Sequence, residues 1–217
     1  MSESSQPVLG SRKGIPASVL AGFFEQARPR PDADALVHRH GALSYGVLAK
    51  GIVGIAVGLK AAITEPDAVV GVSVADRALH LMLLMAIELS GRASASLDPR
   101  RIKSDHPAAR ICRYLLVDES IEPIPDKTLI HITQDWVDEA MRGSRPVDLL
   151  DPGIRQPEAG FMARYFSTSG TTGEAKLIGV TASHHSRCVY SRPNRSWVGL
   201  LEAPRFLLVY DFTAEAL

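Results

Sequence analysis

FMARYF, STSGTTGEAK and LIGVT follow one another from Phe161 to Thr181, two apolar runs on either side of a loop of glycines, hydroxyls and a closing lysine. The flanking runs, Phe161 to Phe166 and Leu177 to Thr181, each read as a short strand of aromatic or β-branched residues. Inside the loop, Gly170 and Gly173 lack a side chain, so the backbone can turn sharply and bring its N–H groups close to a ligand. Consecutive N–H groups in such a turn form a concave anion site. Thr168, Ser169, Thr171 and Thr172 add hydroxyl donors, and Lys176 adds a point charge suited to phosphate. The plainer reading is a Ser/Thr/Gly surface turn, which is common. The length of the loop and its density of donors favour a polyphosphate site. It is not a Walker A loop, which needs a lysine directly after the second glycine, then Ser or Thr, then a helix. Here Glu174 and Ala175 follow Gly173, and the chain returns to β-type residues.

STSGTTGEAK resembles the phosphate-loop signature of the adenylate-forming superfamily: acyl-CoA synthetases, luciferases and the adenylation domains of peptide synthetases. That signature usually reads Thr-Ser-Gly-Thr-Thr-Gly, one variable residue, then Pro-Lys-Gly. This chain keeps Thr168 to Gly173 and Lys176; it departs at Ala175, where Pro is usual, and at Leu177, where Gly is usual. Two further segments extend the resemblance. Leu43-Ser44-Tyr45 matches the family's Leu-Thr-Tyr before a helix. GRASASLDP, Gly91 to Pro99, matches Gly-Ala-Ala-Tyr-Val-Pro-Leu-Asp-Pro at Gly91, Ala93, Leu97, Asp98 and Pro99, with Ser94 and Ser96 in place of Tyr and Pro. Asp98 is read as a turn starter without a catalytic role.

The chain has 217 residues, enough for a real core. Its 24 basic and 24 acidic residues balance, which argues against a nucleic-acid surface. Met1 to Gly10 is polar, unlike a signal peptide, and Gly51 to Ile63 is too short to span a bilayer and carries Lys60. Cytoplasmic residence, no membrane partner and two free thiols, Cys112 and Cys188, are therefore expected. His38, His40, His184, His185, Cys112 and Cys188 form no four-ligand pattern, so no structural metal is expected.

Taken in order, residues 1–14 read as a disordered tail and 15–217 as a partial adenylation domain. A helix is predicted from Pro16, with Val19, Leu20, Phe23, Phe24 and Ala27 on one face. A hairpin over Ala35 to Tyr45 and a long helix over Tyr45 to Ile63 follow. Val69 to Val74 reads as a strand buried on both faces, Arg77 to Leu89 as a helix, and Arg92 to Leu97 as a strand. That order implies a parallel βαβ crossover. Arg101 to Arg113 reads as a basic, Pro-interrupted stretch. Strands at Tyr114 to Val117 and Thr128 to Thr133, and helices at Gln134 to Met141 and Ala182 to Tyr190, come next; Arg205 to Phe212 reads as a buried strand. The fold class is α/β: a mixed, largely parallel sheet flanked by helices, like the first part of the large N-terminal domain of adenylate-forming enzymes.

The resemblance implies a two-step chemistry. A carboxylate attacks the α-phosphorus of ATP, pyrophosphate leaves, and the acyl-adenylate passes its acyl group to a thiol, CoA or a carrier protein, with Mg²⁺ bridging the phosphates. The phosphate loop's share is electrostatic. Family members are more than twice this long, and their adenine, ribose and hinge motifs and C-terminal lysine are not found here. The expectation is a truncated or split AMP-dependent ligase, inactive alone, that a complementing polypeptide would complete. The alternatives are a non-catalytic nucleotide-binding or interaction module, or a decayed remnant.

Overall fold

The computed structural model describes residues 16–38, 41–98, 102, 106–143, 158, 160–168 and 176–190. The expectations for the 1–14 tail, for His40 and for the strand at Arg205 to Phe212 lie outside those residues. Helix α1 (Val19–Ala27) begins three residues after Pro16, the start that the sequence predicts. Ser18 sets the start: its hydroxyl accepts from the Ala21 N–H at 2.9 Å, satisfying a first-turn donor. Strands β1 (Asp34–His38) and β2 (Gly41–Ser44) pair antiparallel, the hairpin the sequence implies. Ser44 repeats the capping device, accepting from the Val47 N–H at 3.3 Å, so Tyr45 opens helix α2 (Tyr45–Ala62).

At 18 residues and a mean hydropathy of 1.4, α2 is long and apolar enough to cross a bilayer by those two measures, which corrects the shorter span read from sequence. Its placement is that of a core helix. Leu48, Ile52, Ile55 and Leu59 are buried, and α2 packs on α1 and on two later helices, α3 (Arg77–Leu89) and α5 (Gln134–Gly143).

The main sheet is built from β3 (Val69–Ser73), β4 (Ala93–Ser96), β5 (Cys112–Val117), β6 (Thr128–His131), β7 (Met162–Thr168) and β8 (Lys176–Thr181), in the order β6-β5-β3-β4-β7-β8. Every neighbouring pair is parallel except β7–β8, which is antiparallel. The mixed, largely parallel α/β sheet expected from the sequence is present, including the β3–α3–β4 crossover. Side chains alternate across each strand, so the two faces carry separate cores. On one face Val70, Val72, Tyr114 and Leu116 meet α1, α2, α3 and α5. On the other, Ala95, Leu97, Cys112, Leu115 and Val117 meet a short helix, α4 (Pro107–Ile111).

Helix α4 lies in the stretch read as irregular and basic. Five residues carry too little periodicity to reveal a helix. A distant residue secures it: Lys127 Nζ donates to the carbonyls of Ala109 (2.7 Å), Arg110 (3.2 Å) and Cys112, groups that a helix end leaves unsatisfied. At the amino ends of the parallel strands, Arg92 works in the same way. Its guanidinium donates to the carbonyls of Ile63, Glu65 and Ser90, tying the exit of α2 to the entry of β4.

Gly71 lies mid-strand in β3, beneath α4's side of the sheet. A Cβ there would sit 2.5 Å from Leu115 Cδ2, 2.9 Å from Leu97 Cδ1 and 3.2 Å from Cys112 Sγ. Each of these is the end of a side chain, but they converge from the strands on both sides of β3, two from β5 and one from the end of β4, and cannot all retreat. Gly71→Ala should therefore destabilise the chain by about 1–3 kcal/mol. Urea denaturation is the measurement, with a lowered midpoint at unchanged slope as the expected result.

Candidate functional site

Because β4 and β7 are parallel, the carboxyl end of β7 emerges on the same edge as those of β3, β4, β5 and β6. In open α/β sheets that edge is where ligands bind. Strand β7 runs through Thr168, two residues beyond the end read from sequence, and β8 begins at Lys176. Thr168 and Lys176 pair directly across the two strands. The sheet thus brings together the first and last residues of the candidate phosphate loop at its carboxyl edge. Lys176 is exposed there. Ser169, Gly170, Thr171, Thr172 and Gly173 lie outside the described residues.

Two groups on this edge fix the strand ends. Asp118, just after β5, accepts the Ala75 N–H at 2.7 Å, and Asp76 caps α3 by accepting the Leu79 N–H at 2.9 Å. His80 is buried between β3 and β4. Its Nδ1 lies 3.2 Å from the Val74 carbonyl, which can only accept, so Nδ1 carries the proton and Nε2 accepts from Ser96 Oγ at 3.0 Å. Ser96 stands where the resemblance would place Pro, and this bond gives it a partner. Asp98 lies two residues after β4.

Sequence reading missed a buried polar cluster under β7. Arg164 on β7 and Glu88 on α3 are both buried, and α6 (Ala182–Tyr190) brings His185 beside them. Burial pushes the Glu88 carboxyl up, and Arg164 opposes that; burial pushes the Arg164 guanidinium down, and Glu88 opposes that. Burial, then the neighbouring charge of Arg164, holds His185 down to about 4. Arg164 also lies over the Phe166 ring, 5.9 Å from its centroid. The visible signal was Glu88, a carboxylate inside the apolar run MLLMAIEL. The Cys112 thiol is buried, donates to the Ala108 carbonyl, and is pushed up to about 12 by burial, so it is a packing residue rather than a nucleophile. Cys112 and Cys188 are both free. Among the described residues no three His, Cys, Asp or Glu side chains come together as a metal site.

Comparison with known proteins places this arrangement. Pyochelin synthetase PchE of Pseudomonas aeruginosa is 29% identical over 166 residues, covering 75% of this chain and 11% of that protein. A linear gramicidin synthase of Brevibacillus parabrevis is 27% identical over 172 residues, 76% of this chain and 3% of that protein. The chain therefore spans a small part of the curated relatives it matches. Among solved structures, the N-terminal subdomain of Klebsiella oxytoca NpsA superposes with a TM-score of 0.62 at 19% identity, covering 78% of this chain and 43% of that one. Holo-PA1221, an NRPS protein containing adenylation and PCP domains, gives 0.58 at 24% identity, with 81% and 29% covered. No protein-family model matches the chain. The resemblance to adenylate-forming enzymes is thus shown by these relatives, and the fold is that of an adenylation-domain N-terminal subdomain such as NpsA's.

The cluster under β7 has a measurable consequence. His185 is held below its ordinary value of 6.5, so the unfolded chain binds the proton first as pH falls. Its contribution to stability is full above about pH 6.5 and is lost as pH falls through that value toward about 4. Glu88, pushed up, acts in the opposite sense, so the two must be separated by substitution. In urea titrations at several pH values, His185→Gln should lose less stability than the parent between pH 6.5 and pH 4. Parallel curves for parent and variant would show that His185 is not buried in its neutral form.

Proposed function

We propose that this chain supplies the phosphate-binding share of an adenylate-forming ligase site, the kind that activates a carboxylic acid with ATP before transfer to a thiol. The observation that carries this reading is the register of β7 and β8, which sets Thr168 opposite Lys176 at the carboxyl edge of the parallel sheet. In this reading Thr168, Ser169, Gly170, Thr171, Thr172 and Gly173 offer donors to the β- and γ-phosphates, and Lys176 offers its charge as negative charge builds on departing pyrophosphate. Mg²⁺, if it accompanies the nucleotide, would offset part of the charge on the phosphates. The carboxylic acid, the thiol acceptor and any complementing polypeptide belong to the rest of the site. A carrier protein is the favoured acceptor class, because PA1221 and the fused NpsA–ThdA protein join adenylation and PCP domains.

A phosphate grip without an adenine grip predicts weak binding that tolerates the base. Calorimetry with ATP, GTP and pyrophosphate should give similar affinities, and a strong preference for ATP would contradict the reading. Lys176→Ala should weaken pyrophosphate binding by about fivefold to tenfold, the size expected for one hydrogen bond to a charged group at an exposed position.

Catalysis needs the carboxylate and the α-phosphate held in line, and that positioning supplies much of the rate. These 217 residues should give no pyrophosphate exchange with a panel of carboxylic acids, and exchange should appear on mixing with the remainder of a related adenylation enzyme. Exchange above background from the chain by itself would refute the division of labour proposed here.

A further inference from the structure

The side chain of the residue preceding α4 is not spent on that helix. The His106 carbonyl accepts the Arg110 N–H at 2.9 Å, but its ring makes no capping bond to the α4 backbone. Its ring instead turns to β7, with Nε2 3.5 Å from Ser167 Oγ. The other ring nitrogen, Nδ1, is buried and has no hydrogen-bond partner among the described residues. Ser167 is the residue before Thr168 and pairs with Leu177, so it stands at the carboxyl end of β7, beside the Thr168–Lys176 pair.

The orphaned nitrogen assigns the tautomer. A neutral imidazole carries one N–H and one bare nitrogen. A proton on Nδ1 would be a buried donor with no acceptor, an arrangement proteins rarely keep. A proton on Nε2 faces the Ser167 oxygen. Nε2–H therefore donates to Ser167 Oγ, and the Ser167 hydrogen must point away from the ring. A serine hydroxyl free to rotate becomes a directed donor. At 3.5 Å the bond is long, as such bonds often are before a ligand tightens them. The mount beneath is firm, because Lys127 holds the far end of α4 and Ala108 and Ala109 are buried in the second core.

We propose that His106 is a positioning residue of the polyphosphate site, holding Ser167 so that its hydroxyl donates to a phosphate oxygen at the carboxyl end of β7. The proposal rests on the phosphate-binding reading above and adds to it a residue 61 positions away in sequence. No step of bond making is involved; the effect is on affinity for the phosphate chain.

The probe is inorganic tripolyphosphate, titrated calorimetrically into the full chain, with the thermal midpoint of each variant recorded alongside. His106→Phe keeps a ring and loses the donor; His106→Gln places an amide N–H near the Nε2 position; His106→Asn places one near Nδ1. Affinity should fall about fivefold in His106→Phe and in His106→Asn, the size of one neutral hydrogen bond, and stay within about twofold in His106→Gln. Ser167→Ala should cost about the same, and Ser167→Ala with His106→Phe no more than either alone, because both remove one linked interaction. Additive losses, or equal losses in the Gln and Asn variants, would make His106 a packing residue and overturn the proposal. Unchanged affinity in His106→Phe, with the parent binding, would overturn it while leaving the phosphate reading intact. A parent chain that binds no tripolyphosphate would overturn both.

Discussion

The parallel pairing of β4 with β7 is the contact on which the candidate site depends. Ser94 pairs with Arg164 and Ala95 with Tyr165, and Ser94 Oγ reaches the Ala163 carbonyl at 3.4 Å. These partners are about 70 residues apart, so the pairing closes a long loop and carries the entropic cost of doing so. Its direction decides everything at the edge. An antiparallel β7 would have put Thr168 and Lys176 at the amino ends of the strands, among Arg92, Glu65 and Tyr114, whose hydrogen bonds are already committed to one another and to the backbone. The parallel sense sends them to the open edge instead, where strand ends carry short polar residues.

The same strand carries a costly group. A guanidinium is rarely buried, and Arg164 is buried with its Nε unpartnered among the described residues. The charge of Glu88 on α3, itself with one carboxylate oxygen unpartnered, offsets part of that cost. A buried pair of this kind contributes little net stability, yet removing one member leaves a charge with no counterpart. Their opposite charges set a condition on seating: each is less costly to bury with the other in place. α6 joins the condition through His185, whose neutrality avoids a second buried cation, and through Ser186, which donates to the Pro16 carbonyl at 2.6 Å. Helices at both ends of the described chain thereby become dependent on the strand that leads to the loop.

Much of this is legible in the sequence. The βαβ order follows from the apolar run Val69 to Val74, the helix at Arg77 to Leu89 and the strand at Arg92 to Leu97, and the hairpin and the long α2 stand where the sequence places them. The ends of the candidate loop are legible too, though Thr168 proves to be the last strand residue rather than the first loop residue. What stays hidden depends on partners far away in sequence. Helix α4 is held by Lys127, His106 by its contact with Ser167, and Glu88 by Arg164; no local period or propensity encodes such meetings. The start of α1 is misplaced from sequence because Pro16 and Ser18 are both good first-turn signals, and the serine's hydrogen bond decides between them.

The positions at which this chain departs from the usual pattern of its relatives bear on whether it is a maintained protein. Drift without selection leaves buried polar groups unpaired, because each substitution is accepted without regard to its neighbours. Three of the departures lie among the described residues, and each has a partner or a packing contact. Ser94, where Tyr is usual, is buried and bonds to the Ala163 carbonyl. Ser96, where Pro is usual, donates to His80. Leu177, where Gly is usual, is half-buried against the cluster under α4 and so anchors β8 to the same helix that supports His106. The buried side-chain atoms that do lack partners, on Ser73, Glu88, His106 and Arg164, fall at none of these three positions. Three of those four residues belong to the two polar groupings that flank β7, the strand leading into the candidate loop. Among the described residues, then, these three substituted positions are paired or packed, and the orphaned atoms lie mostly on residues that flank β7.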